Sequence, residues 1–525
     1  MSKALPVVGR RTVMTGLAAA AVGSALVQPA QGLPAAAARS SALPAGVDRA
    51  TLLRWAEDTW TSLVAMTPAD TGLPADNITG DLSTLSGYTS PTNIGGYMWS
   101  AVAARELGII SAKECTRRVK RTLQTLLGME HHEPSGMYFN WYDESTGDAL
   151  RSWPGTGAKV YPFLSSVDNG WLGAALWVVS NAVPEASRQA RQLFNRMRWD
   201  SFYDPQASRP GGLLHGGFFT SEGHDRPGGV YLGTHIGGED VWLTTHHYDT
   251  IVSETRITSY LGMMTGQIPQ QHYFAAWRTF PESCDWSWQE SQPVGVTRTY
   301  LGIDVFEGAY TYRGMRVVPG WGGSMFEELM PNVFVPEEDW APRSWGKNHP
   351  LHVRAQIEHG LLDAKYGYWG FSPASDPFAN YREYGVDALG LNPDGYLSDA
   401  EKTNYDPGFG TCRPATNPNP DYGDGVVTPH APFLAMMHEP VAAFNNLVQL
   451  EQDLDAYGPG GFYDAIAVVS NTPARRYLSL DQAMVMGAIG NVAGRDVLRK
   501  AFCTRGVEKA LRPVIAMEEF GAGLV

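Results

Sequence analysis

The feature that most constrains this chain is an apolar period of about 3.6 residues that starts, breaks and starts again. Leu52, Leu53, Ala56, Trp60, Leu63 and Val64 fall on one helical face. Similar faces recur at Ile94, Met98 and Val102, at Val119, Leu123, Leu126 and Leu127, and at Leu193, Phe194 and Met197. They return at Ile251, Ile257 and Leu261, at Ile357 and Leu361, and from Met484 to Ile489. Residues 170–183 are apolar nearly all round, the pattern of a helix inside the molecule. Between these segments lie long Gly-, Pro- and aromatic-rich stretches at 134–166, 200–247, 281–325 and 366–432. Connections of that length are usually functional. Gly212 to Phe219 and Val294 to Val305 alternate like short hairpins. There is no βαβ alternation, no GxGxxG after a strand and no P-loop. Many helices joined by long, one-sided loops predict a mostly α chain. The arrangement expected is an α/α toroid, a ring of helical hairpins with a loop-lined concave face and short β-hairpins along its cleft.

Composition narrows the ligand. Only 18% of the 525 residues are charged, and the formal net charge is −14. Sparse charge with many aromatics excludes a disordered chain. The acidic balance argues against nucleic acid and anionic membrane surfaces, which call for a basic face. The 16 Trp and 23 Tyr offer flat faces suited to a neutral, polar, ring-shaped ligand such as a sugar.

The first 38 residues read as a targeting segment. Arg10-Arg11 precedes an apolar run, Gly16 to Val27, that is too short and Ala-rich to span a membrane. Twin arginines in this setting predict export by the twin-arginine machinery, with no membrane attachment once the leader is removed. Residues 39–48 read as a linker and 49–525 as a single helical domain. The four cysteines, Cys115, Cys284, Cys412 and Cys503, lack CxxC spacing and are expected as buried thiols or one or two disulfides.

Glycoside cleavage needs two carboxyl groups and a means of holding the ring. Several stretches place acids beside aromatics and glycines. Tyr138 to Asp143 offers Asn140, Trp141 and Asp143 for sugar hydroxyls and stacking, against the alternative of a packed aromatic turn. Asp168 and Asn169 precede the apolar helix, where capping alone would also explain them. His246-His247-Tyr248-Asp249 leads to Glu254, set in the apolar frame of Ile251, Val252 and Ile257. A Glu there is expected to be paired or catalytic. Arg256 could pair with it only if the helix bends, since i,i+2 residues do not face each other. The two histidines lack an HExxH or carboxylate spacing, so no metal is expected. Trp321-Gly322-Gly323 delivers Glu327 and Glu328 onto an apolar helix. Trp369 and Asp376, then Tyr381 and Glu383, follow in the next loop, and Asp464 lies in Gly461-Phe462-Tyr463-Asp464-Ala465.

In this order the stretches resemble the glycoamylase-like family, which includes secreted bacterial endo-β-1,2-glucanases and the glycoamylase-like domain of cyclic β-1,2-glucan synthases. The carrying motifs are Ser90-Pro91-Thr92-Asn93-Ile94-Gly95 with Ala103 to Gly108, Phe139 to Asp143, and Ser166 to Gly170. They continue through Tyr248-Asp249 to Arg256, Gly323 to Glu327, Trp369 to Ser372 and Gly461 to Ala465. The resemblance implies an (α/α)6 toroid with a β-glucan cleft, Glu254 as leading general acid, Glu327 in the same cleft and Asp464 near the site. It departs at Pro373, where the synthase branch carries a second Glu proposed as nucleophile. The nearest acid, Asp376, looks like that of the endoglucanase branch. The implied chemistry is metal-independent, inverting hydrolysis, with Glu327, Asp376, Asp464 or Asp249 supplying the second carboxylate. A catalytically silent glycan-binding protein and a hydrolase of another cell-wall polysaccharide are the competing readings.

Overall fold

The computed structural model describes residues 43–220, 229–280, 292–391 and 422–525. The expected leader, Cys284 and Cys412 lie outside them. Helices carry most of the regular structure. In chain order they are α1 (Arg49–Ala65), α2 (Pro91–Glu106), α3 (Ala112–Gly128), α4 (Ser166–Ala182) and α5 (Ser187–Asn195). Then come α6 (Arg256–Met264), α7 (His272–Ala275), α8 (Met325–Leu329), α9 (Glu337–Trp340) and α10 (Trp345–Glu358). The last are α11 (His430–Ala435), α12 (Pro440–Asp453), α13 (Ser479–Val492), α14 (Val497–Phe502) and α15 (Arg505–Ile515). Among the described residues no helix is long and apolar enough to cross a membrane.

The start signals are local. Asp48, Ser90, Ser111 and Ser165 each accept a backbone N–H in the first turn of α1, α2, α3 and α4. Pro91 adds a pre-set φ at the head of α2. Of the expected linker, residues 43–48 are described, and they supply Val47 to the core as well as the Asp48 cap.

Helices α2, α4 and α13 are apolar and buried over nearly their whole length. Helix α2 packs between α4 and α13; α4 also meets α6, and α13 meets α11, which touches α8. Outside them, α1 lies on α13 and α2, α3 on α2, α5 on α4, α15 on α6, α10 on α8 and α12 on α11. Two glycines make the inner contacts possible. A Cβ at Gly95 would sit 2.9 Å from the Trp171 carbonyl oxygen, and one at Gly170 would sit 2.1 Å from Thr258 Oγ1. One continuous apolar core runs from Val47 to Ala522.

The strands are short and antiparallel. Thr297–Tyr300 pairs with Ile303–Phe306, as the alternation there predicts. The expected hairpin at Gly212 to Phe219 does not form. Leu213–His215 joins Tyr203–Asp204 and His247–Tyr248 in one sheet, whereas Gly217–Phe219 joins Phe163–Ser165 and Asp240–Thr244 in another. Gly216 lies between them with the His246 ring so close that a Cβ would be 2.0 Å from Nε2. Cys115 and Cys503 are free thiols, Cys115 buried.

Candidate active site

The starts of α2, α4, α8, α11 and α13, with the turn ahead of α6, are joined by an unbroken run of contacts. Ser90 Oγ accepts from Asn93 N, and Asn93 Nδ2 donates to Asp76 Oδ1 at 2.9 Å. Thr92 Oγ1 donates to Asp168 Oδ1 in the first turn of α4 at 2.6 Å. Further along that helix, Trp171 Nε1 donates to Glu254 Oε2 at 2.5 Å. The Glu254 backbone N–H donates to Glu327 Oε2 at 2.6 Å, in the first turn of α8, which Ser324 caps. Met325 N donates to the Phe371 carbonyl, and the Gly370 carbonyl accepts from Thr428 N just ahead of α11. His430 opens α11 with its Nδ1 3.8 Å from Asp481 Oδ2 on α13. Ser479 N, at the head of α13, donates to the Asp76 carbonyl at 2.8 Å and closes the circuit.

Glu254 is buried within this circuit, 1% exposed. It does not lie inside a helix. Residues 251–255 are bends and turns, and α6 begins at Arg256. The expected Arg256 pairing also resolves differently. Arg256 Nε lies 2.9 Å from Glu337 Oε1, while its other nitrogens donate to the carbonyls of Ile251, Ser253, Glu327 and Glu328. One buried guanidinium thus fixes both the turn carrying Glu254 and the helix carrying Glu327. The guanidinium stacks 4.2 Å above the Trp345 ring.

The other acids differ in setting. Glu327 is half-buried. Asp249 has its carboxyl pushed up to about 6 by desolvation, which the Arg209 charge only partly offsets. Asp464 is buried and accepts from Ser375 N at 2.6 Å through Oδ2. Asp376 is paired with Arg382 at 2.5 Å and accepts from Phe378 N at 2.6 Å, so it holds the turn between Ala374–Ser375 and Tyr381–Arg382. Ser375 therefore ties the Asp376 hairpin to the Asp464 strand.

The expected sugar contacts divide. Trp141 is half-buried in an edge-to-face cluster with Tyr88 (5.4 Å) and Trp153 (5.1 Å). Asn140 is buried beside it, and its Oδ1 has no protein partner. Asp168 is half-buried on the circuit; Trp321, Tyr381 and Glu383 are also half-buried. Three others are spent on structure. Asn169 is buried, with Nδ2 donating to the Tyr138 and Ser165 carbonyls and Oδ1 accepting from Tyr138 N. The Asp143 carboxylate closes its own turn through Ser145 and Thr146. Trp369 is 2% exposed and bonded at both backbone groups to Asn446. The sequence reading missed Asp76, Asn93, Trp171, His430 and Asp481 as members of the circuit. Three of the five share a positional signal: Asn93, His430 and Asp481 fall in the first turns of buried helices.

Residues 246–505 match the family model described as "Putative glucoamylase". Residues 54–213 match a model described as a protein of unknown function, DUF3131. The cyclic β-(1,2)-glucan synthase NdvB of Rhizobium meliloti is 27% identical over 270 residues, 49% of this chain. The match spans 7% of the synthase's length. Among solved structures, the endo-β-1,2-glucanase of Chitinophaga pinensis, in complex with sophorotriose and glucose, superposes with TM-score 0.59 at 15% identity. That match covers 89% of this chain and 98% of the other. The endo-β-1,2-glucanase of Talaromyces funiculosus with sophorose gives 0.60 at 13% identity, covering 89% and 90%. The β-1,2-glucanase of Parabacteroides distasonis gives 0.60 at 16% identity, covering 89% and 60%. The chain has the fold of these proteins.

Proposed function

We propose that the chain is an exported glycoside hydrolase that cleaves a β-glucan, β-1,2-linked, by inverting acid–base chemistry without a catalytic metal. In this reading the inner helices close as an (α/α)6 toroid, residues 49–525 form one unit, and the leader directs twin-arginine export. Glu254 protonates the leaving oxygen, and a second carboxylate of the same cleft, Glu327 or Asp464, activates the water. Asp376 is a poor base because Arg382 already holds it. The observation that carries the proposal is Glu254 itself. It is a buried carboxyl gripped by Trp171, with its backbone held by Glu327. The relatives' complexes with sophorose, sophorotriose and β-1,2-glucan support the choice of linkage. The test is a panel of linear β-1,2-, β-1,3- and β-1,4-glucans, read by reducing ends and by the anomeric signal of the first product. Release of α-anomeric product from β-1,2-glucan is expected. Binding without release would favour a silent glycan-binding protein, a reading that Pro373 keeps in view.

A further inference from the structure

Away from Glu254, three ligand-type side chains meet on one small sheet. Strand Leu213–His215 is flanked by Tyr203–Asp204 and His247–Tyr248, with His247 opposite His215 and Asp204 opposite Leu213. Residues 213 and 215 point to the same face of a pleated strand, so Asp204, His215 and His247 share that face. Their ligand atoms all lie within 4.8 Å of one another. His247 Nε2 is 2.9 Å and His215 Nε2 3.8 Å from Asp204 Oδ2, and the two rings stack at 4.4 Å. Two ligands each about 2.1 Å from a tetrahedral ion would stand about 3.4 Å apart, between those two distances.

The tautomer of His215 is fixed by its surroundings. Its Nδ1 lies 3.0 Å from the Thr244 carbonyl oxygen, which can only accept, so Nδ1 carries the proton. The lone pair on Nε2 then points toward Asp204 Oδ2, two electron-rich atoms face to face. The Tyr231 hydroxyl, 3.3 Å from Nε2, answers only the histidine side. A backbone carbonyl on one imidazole nitrogen, leaving the other for an ion, is the usual support for a metal-ligating histidine. His215 is buried, while the Asp204 and His247 side chains are 17% and 21% exposed, which leaves a path for an ion.

We propose that Asp204, His215 and His247 hold a first-row divalent cation, of which Zn²⁺ best suits two imidazoles and one carboxylate. His247 thus has a metal role that its spacing in the sequence does not announce. On binding, the His247 proton moves by solvent exchange from Nε2 to Nδ1, leaving a neutral imidazole, and the ion replaces the Nε2 hydrogen bond to Asp204. The ion would fasten the three strands from which the chain runs through Asp249 to Glu254. It is a pin beside the reacting groups, not a participant in the glycosidic step.

The test uses the full chain, stripped with a chelator, dialysed against Zn²⁺ and analysed for metal per chain. His132, His235 and Glu239 also converge, so the quantity read is a difference. Asp204→Asn and His247→Gln preserve shape, and circular dichroism confirms that each folds. Each is expected to hold one Zn²⁺ per chain fewer than the wild type and to lose part of the Tm rise that Zn²⁺ produces. Metal content equal to wild type in both variants, or in whichever one folds, overturns the proposal.

Discussion

Glu327 and Glu328 are neighbours in sequence, yet a step of about 100° around a helix gives them different chemistry. Glu327 turns to the Glu254 backbone; Glu328 turns inward to Asn348 and His349. Asp168 and Asn169 divide in the same way, one toward Thr92 and the other into the Tyr138 backbone. This is why the acids of the candidate site could be picked out in the sequence as candidates, whereas the roles of their neighbours could not. An acid beside glycine and tryptophan is conspicuous, but a short motif does not say which of two adjacent side chains faces the cleft. Two variants separate the roles. Glu254→Gln keeps an acceptor for Trp171 and removes the proton donor, so turnover on the glycan that is cleaved should fall by at least about 10²-fold with Tm preserved. Steady-state rates check it, and near-wild-type turnover would sink the assignment. Asn169→Ala leaves buried backbone groups of Tyr138 and Ser165 without partners. It should cost about 1–3 kcal/mol in denaturant unfolding while KM for the glycan stays unchanged. A raised KM with unchanged stability would return Asn169 to the sugar site.

Among the elements, α6, α8, α9 and α10 are locked by charge as well as by apolar packing. His349 on α10 lies 2.6 Å from Glu328 of α8 and 3.2 Å from Glu337 of α9, and Glu337 in turn holds Arg256 of α6. Desolvation alone would depress His349, but the two carboxylates outweigh it and hold it up at about 8. Burial likewise opposes ionisation of Glu337, yet Arg256 and His349 bring it down to about 2. The signs set a window. The raised histidine contributes stability that is complete below its unfolded pKa of about 6.5 and is lost as pH rises through about 8. The depressed glutamate contributes above about 4.5 and is lost as pH falls toward 2. Thermal melts should therefore peak in mildly acidic buffer and decline from pH 6.5 to 8, the histidine share being about 2 kcal/mol. His349→Gln should flatten the alkaline decline; an unchanged decline in that variant would place its origin elsewhere. None of this pairing could be read along the chain, because Arg256 and Glu337 are 81 residues apart. What could be read were α1, α3 and α4, which carry complete apolar patterns and serine or aspartate caps, whereas the 14-residue α12 was not read. Helix α11 was missed because it is short and contains Pro432, and α15 because Pro513 interrupts its run.

At the scale of the molecule, the two family-model matches cut across the packing. Residues 54–213 supply α2 and α4, and residues 246–505 supply α6, α8, α11 and α13. Yet α2 lies between α4 of its own segment and α13 of the other. The candidate site is divided in the same way, since Trp171 and Asp168 come from the first segment and Glu254 and Glu327 from the second. The repeating apolar period announced helices packed in succession. The sequence did not show that α2 and α13 meet, because that contact joins residues some 400 apart: the Trp99 indole donates to the Ala483 carbonyl at 2.9 Å across 384 positions. Removing residues 1–228 would strip α2 and α4 from α13 and α6 and expose the apolar faces of α13, whose residues Ser479 to Asn491 are all buried. Exposed apolar surface on that scale leads to collapse or aggregation rather than a stable half. A fragment beginning at residue 229 should therefore show no cooperative melt by calorimetry and no activity, although it contains the whole "Putative glucoamylase" match. A sharp transition in that fragment would mean that the second segment folds alone and that α2 and α4 are an addition to it rather than part of its core.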